Sequence, residues 1–369
     1  MNTIKSTIFT LALTSLLSIP SLAPADSIAP DTFSRTLTVG ESYTLHKTVT
    51  VSANPAALVD VLFLFDTTSS MSGLIDSAKS NAASITSALS SFGSVSYGVS
   101  DYRDFPAVPF GVSGTDYAYQ NVLNVGSNAA AAQAAINSLT IGGGYDSPES
   151  NLYALQQAAT SSWRTSSEFN RFIVWFGDAS GHTSLDTGYP AGISVANTVA
   201  ALNSNNVKVE AINLSKNPFG GINTNGQANA VATGTAGGLY NLSNVSNITA
   251  TIQSAITASF NKYSKVNLDV SETHSGVGVS VTPVLYSGAW DRSADHTFEY
   301  DVTFTGLAVG SYDFDINALV DYGITATEHD FISVYDKNFP TEPVPEPATF
   351  VLFAAGLAGL AIYRRSIAE

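Results

Sequence analysis

Asp66, Thr68 and Ser70 stand at every second position directly after the apolar run Val61-Leu62-Phe63-Leu64-Phe65. That spacing turns one carboxylate and two hydroxyls toward a single point. Such a donor set suits a hard cation such as Mg²⁺, which takes oxygen ligands and keeps positions for water or an incoming carboxylate. Two later segments offer more acid: Asp146-Ser147-Pro148-Glu149 behind the run Gly142-Gly143-Gly144, and Asp178 behind Phe172-Ile173-Val174-Trp175-Phe176. Carboxylates gathered without a counter-charge repel one another and resist ionisation, and a bound divalent cation removes that cost. The same residues also fit a plain Ser/Thr loop in which Ser69 or Ser70 caps a helix starting near Met71. A hydrolase in which metal and acids activate water is the competing chemistry; against it, Ser69 and Ser70 have no histidine in their own loop. His182 is expected to orient its loop or to face solvent, since a hard oxygen site gains little from imidazole. Asp101 and Asp116 are read as ordinary loop acids, and His46 as a solvated strand residue.

Particular elements must bring these residues to one edge. Continuous apolar runs of strand length at 59–65 and 172–176 suit strands buried on both faces of a parallel sheet, and in such sheets ligands bind beyond the carboxyl ends of the strands. Further strands are expected at 95–100 and 207–214. Helical spacing predicts helices over 73–92, 128–139, 148–161, 193–203 and 248–260, with Pro148 and Glu149 in the first turn of the third. Strands alternating with helices imply an α/β fold with a doubly wound, mostly parallel sheet. Before it, period-two patterning at 36–39 and 43–51 around Gly40-Glu41 predicts a β-hairpin. After Lys265 the same period over 266–270, 277–281, 297–304, 310–316 and 331–334 predicts a β-sandwich. Neither the hairpin region (30–57) nor the later strands (263–338) have enough partners alone, because open sheet edges and lone hairpins are unstable. The α/β unit at 58–262 is therefore expected to be inserted in, or flanked by, one all-β sandwich, joined through 53–58 and 261–265.

Acidic residues outnumber Lys plus Arg by 30 to 15, a net charge of -15. This argues against nucleic acid as a partner, since that binding rests on phosphate neutralisation, and it favours a cation-attracting surface. There is no cysteine, so disulfides, thiol nucleophiles and Cys-ligated metals are excluded. Residues 1–25 read as a signal peptide: Lys5, an apolar stretch over 8–17, and Ala23-Pro24-Ala25 as the signal-peptidase site. Residues 339–347 read as a linker. The tail, 345–369, carries Pro345-Glu346-Pro347, a short apolar helix from Ala348 to Tyr363, and Arg364-Arg365 at a cytoplasmic end, which together suggest a membrane anchor.

This tail resembles the PEP-CTERM sorting signal of Gram-negative bacteria, with the Pro-Glu-Pro motif, the glycine-containing apolar segment around Gly356 and Gly359, and the terminal arginines all in place. The resemblance implies processing by an exosortase during export, in bacteria that make exopolysaccharide, with membrane anchoring before the tail is processed. Residues 58 to about 260 resemble a von Willebrand factor type A domain, in the sub-pattern of integrin β-subunits. Its metal-ion-dependent adhesion site, with the motif Asp-x-Ser-x-Ser, matches Asp66, Thr68 and Ser70, with Thr in place of the first Ser. The resemblance implies Glu149 and Asp178 as further ligands of Mg²⁺ or Mn²⁺ there, Asp178 reaching the metal directly or through water. It also implies Asp146, the Pro148 carbonyl and Asp104 around a neighbouring Ca²⁺. Gly144 replaces an Asn of that pattern, and Gly73-Leu74 replace the acidic pair of a third site, so no third metal is expected. By this resemblance the protein is a non-catalytic, cell-surface or matrix module. An acidic protein or polysaccharide would complete the metal's shell. A metal-dependent hydrolase, or an envelope component with a purely structural metal, is the alternative.

Overall fold

The computed structural model describes residues 25–164, 170–214 and 221–337. The signal peptide, the linker and the sorting tail expected from the sequence lie outside them. Among the described residues no helix is long and apolar enough to cross a membrane. The chain opens with β1 (Ser27–Ala29), β2 (Thr32–Thr38) and β3 (Ser42–Val51), and then enters the α/β unit. That unit runs β4 (Ala57–Asp66), α1 (Ser72–Leu89), β5 (Gly93–Tyr102), β6 (Gln120–Ser127), α2 (Ala129–Ser138), α3 (Asn151–Ala159), β7 (Asn170–Gly177), α4 (Val195–Ser204), β8 (Val207–Asn213), α5 (Gln227–Gly234), β9 (Leu239–Asn241) and α6 (Ile248–Ser259). Six more strands follow: β10 (Lys262–Asp269), β11 (Val277–Thr282), β12 (Tyr286–Asp291), β13 (His296–Gly306), β14 (Gly310–Val320) and β15 (Gly323–Tyr335).

The α/β sheet has the order β6-β5-β4-β7-β8-β9, parallel except for the edge strand β6. Strand β4 lies inside it, and its alternation explains how a run so apolar is satisfied. Val59, Val61, Phe63 and Phe65 pack with α1, α2 and α6 on one face, while Leu62 and Leu64 pack with α3, α4 and α5 on the other. All six are fully buried, and each contributes about 1.5–3 kcal/mol of hydrophobic stabilisation. That burial fixes where Asp66, at the end of the strand, must stand.

Two sheets make the sandwich, β1-β3-β13-β11 and β12-β10-β14-β15-β2. Strands from before and after the α/β unit share both sheets: β3 pairs antiparallel with β13 over ten positions, and β2 pairs parallel with β15 over seven. The expected hairpin is corrected here. The chain does turn at Gly40-Glu41, but β2 and β3 enter opposite sheets and make no ladder with each other. A turn between two alternating strands is equally a corner of a sandwich, where both inward faces meet one core; Leu37, Val49 and Val51 share that core with Phe304 and Ile332. Sequence spacing also misses β1, β6, α5, β9 and β12.

The two connections between the units are clasped by one residue. Arg292 is only 4% exposed. Its carbonyl accepts from the Asn54 amide at 2.6 Å, its amide donates to the Asn261 carbonyl at 2.9 Å, and its guanidinium donates to the Pro55 carbonyl. The guanidinium also lies 4.0 Å from the centre of the Phe260 ring, at the end of α6.

Candidate metal centre

The carboxyl ends of β4 and β7 meet two loops at one edge of the parallel sheet, around a cleft of about 140 Å³ lined by Thr68, Ser70, Asp146, Glu149 and Asp178. Asp66, fully buried, is tied to the lining residue Thr68. One carboxylate oxygen, Oδ1, accepts from the Thr68 amide at 2.9 Å and the Thr68 hydroxyl at 2.6 Å; the other, Oδ2, is buried without a hydrogen-bond partner. Ser70 donates to Asp178 Oδ1 at 3.0 Å, and the Thr68 and Ser70 hydroxyl oxygens lie 3.2 Å apart. When each hydroxyl gives its proton to its carboxylate, both present lone pairs to the space between them. Ser69 donates instead to the Gly143 carbonyl at 3.0 Å, and α1 has no side-chain cap. The plain capping role for Ser69 or Ser70 is therefore not what the structure shows.

Glu149 arrives by a different route from the one its sequence suggests. Helix α3 starts at Asn151, not at Pro148. Glu149 is extended and bridges the loop after β7: its amide donates to the Ser180 carbonyl at 2.9 Å, and its carbonyl accepts from the His182 amide at 2.8 Å. This bridge carries the side chain inward, 3% exposed, with Oε2 unpartnered. The glycine loop makes room. Gly143 has φ +70°, and a Cβ there would sit 1.8 Å from Asp116 Oδ1, which accepts from the Gly144 amide at 2.8 Å.

Electrostatics follow from crowding. Burial, then Asp178, raises Asp66 to about 7 against the opposing Thr68 hydrogen bonds. Burial, then Asp66, Asp104, Asp178 and Asp146, pushes Glu149 well above the carboxylate range. Arg103 is nearby, yet its guanidinium is committed to the Thr115 and Thr140 carbonyls at 2.6 and 2.8 Å. Two buried, unpartnered carboxylate oxygens beside two hydroxyls and a third acid form an oxygen-only donor set, and these residues fit a hard divalent cation.

A second cluster adjoins the first. Asp104, Asp146 and His182 present ligand atoms within 4.8 Å of one another. His182 Nε2 is 3.3 Å from Asp146 Oδ1 and 3.6 Å from Asp104 Oδ2, and its Nδ1 is 3.3 Å from Asp186. Burial raises Asp104 to about 7 while His182 pulls it down. Burial opposes charge on His182, but Asp104 and Asp146 raise it to about 9. Its ring stands edge-on to Phe110, with centroids 4.7 Å apart, and 5.0 Å from Tyr189. Pro148 faces a neighbouring cleft with Ser180, Thr183 and Asp186.

Of the two roles expected for His182, facing solvent falls away: it is 4% exposed, held among three acids, with Nδ1 3.3 Å from Asp186 of its own loop. Two other readings from the sequence change here. Asp101 and Asp116 are buried struts: Asp101 accepts from Thr67 at 3.0 Å and from Tyr117 at 2.5 Å, and Asp116 ties the Val112 and Gly144 amides. Asp116 sits in a loop and Asp101 in the last six residues of β5, all of them buried, so neither shows a periodicity and only proximity to strand ends and glycines could have marked them.

Residues 60–188 match the von Willebrand factor A domain family, and residues 343–365 match the PEP-CTERM protein-sorting motif. No curated protein matches the chain in sequence. Among solved structures the chain is similar to a von Willebrand factor type A protein from Catenulispora acidiphila, at 13% identity and TM-score 0.40, over 86% of this chain and 76% of that one. It is similar also to the open conformation of the pilus adhesin SpaC from Lactobacillus rhamnosus GG, at 11% identity and TM-score 0.41, over 80% of this chain and 45% of that one. A third likeness is to proximal thread matrix protein 1 from the mussel byssus, at 13% identity and TM-score 0.41, over 68% and 51%. The chain thus spans less than half of the pilus adhesin and about half of the thread protein.

Proposed function

Because the chain carries a von Willebrand factor A domain and a PEP-CTERM sorting motif, we propose that it is an exported envelope protein that binds its partner through a divalent cation and breaks no bond. The observation that carries this reading is a pair of buried, unpartnered oxygens: Glu149 Oε2, on a residue that lines the cleft, and Asp66 Oδ2, whose carboxylate is tied to the lining residue Thr68. In this reading Asp66, Thr68, Ser70, Glu149 and Asp178 hold Mg²⁺ or Mn²⁺. Asp104, Asp146 and the Pro148 carbonyl belong to a neighbouring Ca²⁺. The bound cation supplies a coordination position that a carboxylate of an acidic protein or polysaccharide can fill. The residues of the chain fix its charge balance and keep one face open. The unit at 58–262 acts as the binding head, and 30–57 with 263–338 acts as its support.

Signal peptidase and an exosortase process the two ends, and the apolar tail holds the chain at the membrane until then. Hydrolysis finds no support in the hydrogen bonding of this edge. His182 binds Asp146 and Asp186, and the hydroxyls of Ser69 and Ser70 go to Gly143 and Asp178, so no serine and histidine act as a pair. Calorimetric titration of the purified protein with MgCl₂ tests the assignment. Asp66→Ala is expected to abolish measurable binding while circular dichroism stays native; an unchanged affinity in that variant rejects the site.

A further inference from the structure

The sandwich core contains a charged group that the adhesion site does not use. Lys47, in the middle of β3, is on the inward register with Val49 and Val51 and is fully buried. Facing it from the other sheet are Glu328 and Asp330, two apart on β15, with 1% and 0% exposure. Lys47 Nζ lies 2.5 Å from Glu328 Oε2 and 3.7 Å from Asp330 Oδ1. The second Glu328 oxygen and both Asp330 oxygens have no hydrogen-bond partner. The surroundings are apolar: the Phe33 ring centre is 6.0 Å from Nζ, and Phe33 and Phe314 flank Asp330 on the adjacent strands.

One ammonium and two carboxylates cannot all stay ionised in such a place without leaving a net buried charge. Burial, partly offset by Lys47, pushes Glu328 up to about 7, and burial raises Asp330 as well. Burial thus favours a neutral carboxylic acid in this place, and the fold holds it beside the Lys47 amino group.

We propose that Lys47 Nζ and Asp330 Cγ are joined by an isopeptide bond that the folded sandwich forms on itself, with Glu328 as the proton carrier. Glu328 takes a proton from the Lys47 ammonium, and the freed lone pair attacks Cγ of protonated Asp330. The C–N bond forms and a C–O bond breaks. A second proton from nitrogen passes through Glu328 to the departing hydroxyl, which leaves as water. The sum is ammonium, the Asp330 carboxylic acid and the Glu328 carboxylate giving amide, one water and protonated Glu328, which then releases its proton to solvent, with no oxidant, reductant or co-reactant. Fixed approach replaces an improbable encounter between two chains, and the product removes the buried ammonium charge while its water escapes to bulk. Asp330 is assigned as the acceptor because Glu328, at 2.5 Å, already holds the amine through oxygen, whereas Asp330 Oδ1 stands 3.7 Å from it.

Peptide mapping of the purified full chain by mass spectrometry tests this. The expected result is that the β3 peptide containing Lys47 and the β15 peptide containing Asp330 appear as one species, lighter than their sum by one water. Lys47→Arg and Asp330→Ala abolish the species, Glu328→Gln leaves the two peptides mostly unlinked, and chelation of divalent cations changes nothing. Separate, unmodified Lys47 and Asp330 peptides from the native protein overturn the proposal, as does a link to Glu328.

Discussion

Glu149 is buried with Asp66, Asp104, Asp178 and Asp146 all raising its pKa, which makes its charge costly until a cation arrives. Glu149→Gln should therefore act in opposite directions on two measurements. Without metal, the variant melts higher, because a buried carboxyl under like-charge repulsion becomes a neutral amide. With Mg²⁺, affinity falls by roughly tenfold, about 1.4 kcal/mol, since the amide oxygen coordinates but carries no charge. Thermal melts and calorimetry check both; no change in either would leave Glu149 a plain loop residue. At this scale the alternating Asp66, Thr68 and Ser70 are readable, because they continue a strand whose burial is obvious from its apolar run. The surroundings of His182, and the inward placement of Lys47 between Leu45 and Val49, are harder to read. Lys47 does carry a signal, since period two puts it on the same face as Val49 and Val51.

The glycine loop is the element whose shape the cleft depends on. Gly143→Ala forces a left-handed backbone on an L side chain, costing about 1–2 kcal/mol. It also drives a methyl into Asp116 Oδ1, breaking the strut to the Gly144 amide. Gly114, with φ +85° and nothing within 4 Å of where a Cβ would stand, is the control: Gly114→Ala carries only the backbone cost. Chemical denaturation should show the Gly143 variant to be the less stable, with weaker Mg²⁺ binding. Equal losses would mean that Asp116 moves aside freely. Parallel strands and their helices are legible because burial on both faces or on one stripe leaves a periodic trace. Strand β6 is not, because its half-exposed Gln-Asn-Val-Leu-Asn-Val-Gly-Ser sequence follows no clean alternation. The β2–β3 turn is legible as a turn, but local sequence does not say which sheet each arm will join.

Across the whole molecule, Arg292 is the residue that touches both crossings between the units. Arg292→Ala should let the head swing: limited proteolysis at 53–57 rises by roughly tenfold, about 1.4 kcal/mol of easier local opening, while metal affinity is unchanged. Cleavage at the wild-type rate would show that the strand ladders alone hold the orientation. The sandwich itself is polar in layout. Gly323, at the start of β15, abuts Ala57 where the head begins, and Tyr335, at its end, meets Val39 at the far pole, from which the chain leaves toward its tail. The thirteen residues of β15 span these poles, roughly 40 Å for the steps between its ends at about 3.3 Å per residue. A pull on the glycine-rich edge, resisted at the tail, enters the sandwich through β3 and β10 and leaves it through β15. That strand is laddered to β14 on one side and β2 on the other, so tension meets two rows of backbone hydrogen bonds in shear, all strained at once, instead of a hairpin that can unzip one bond at a time.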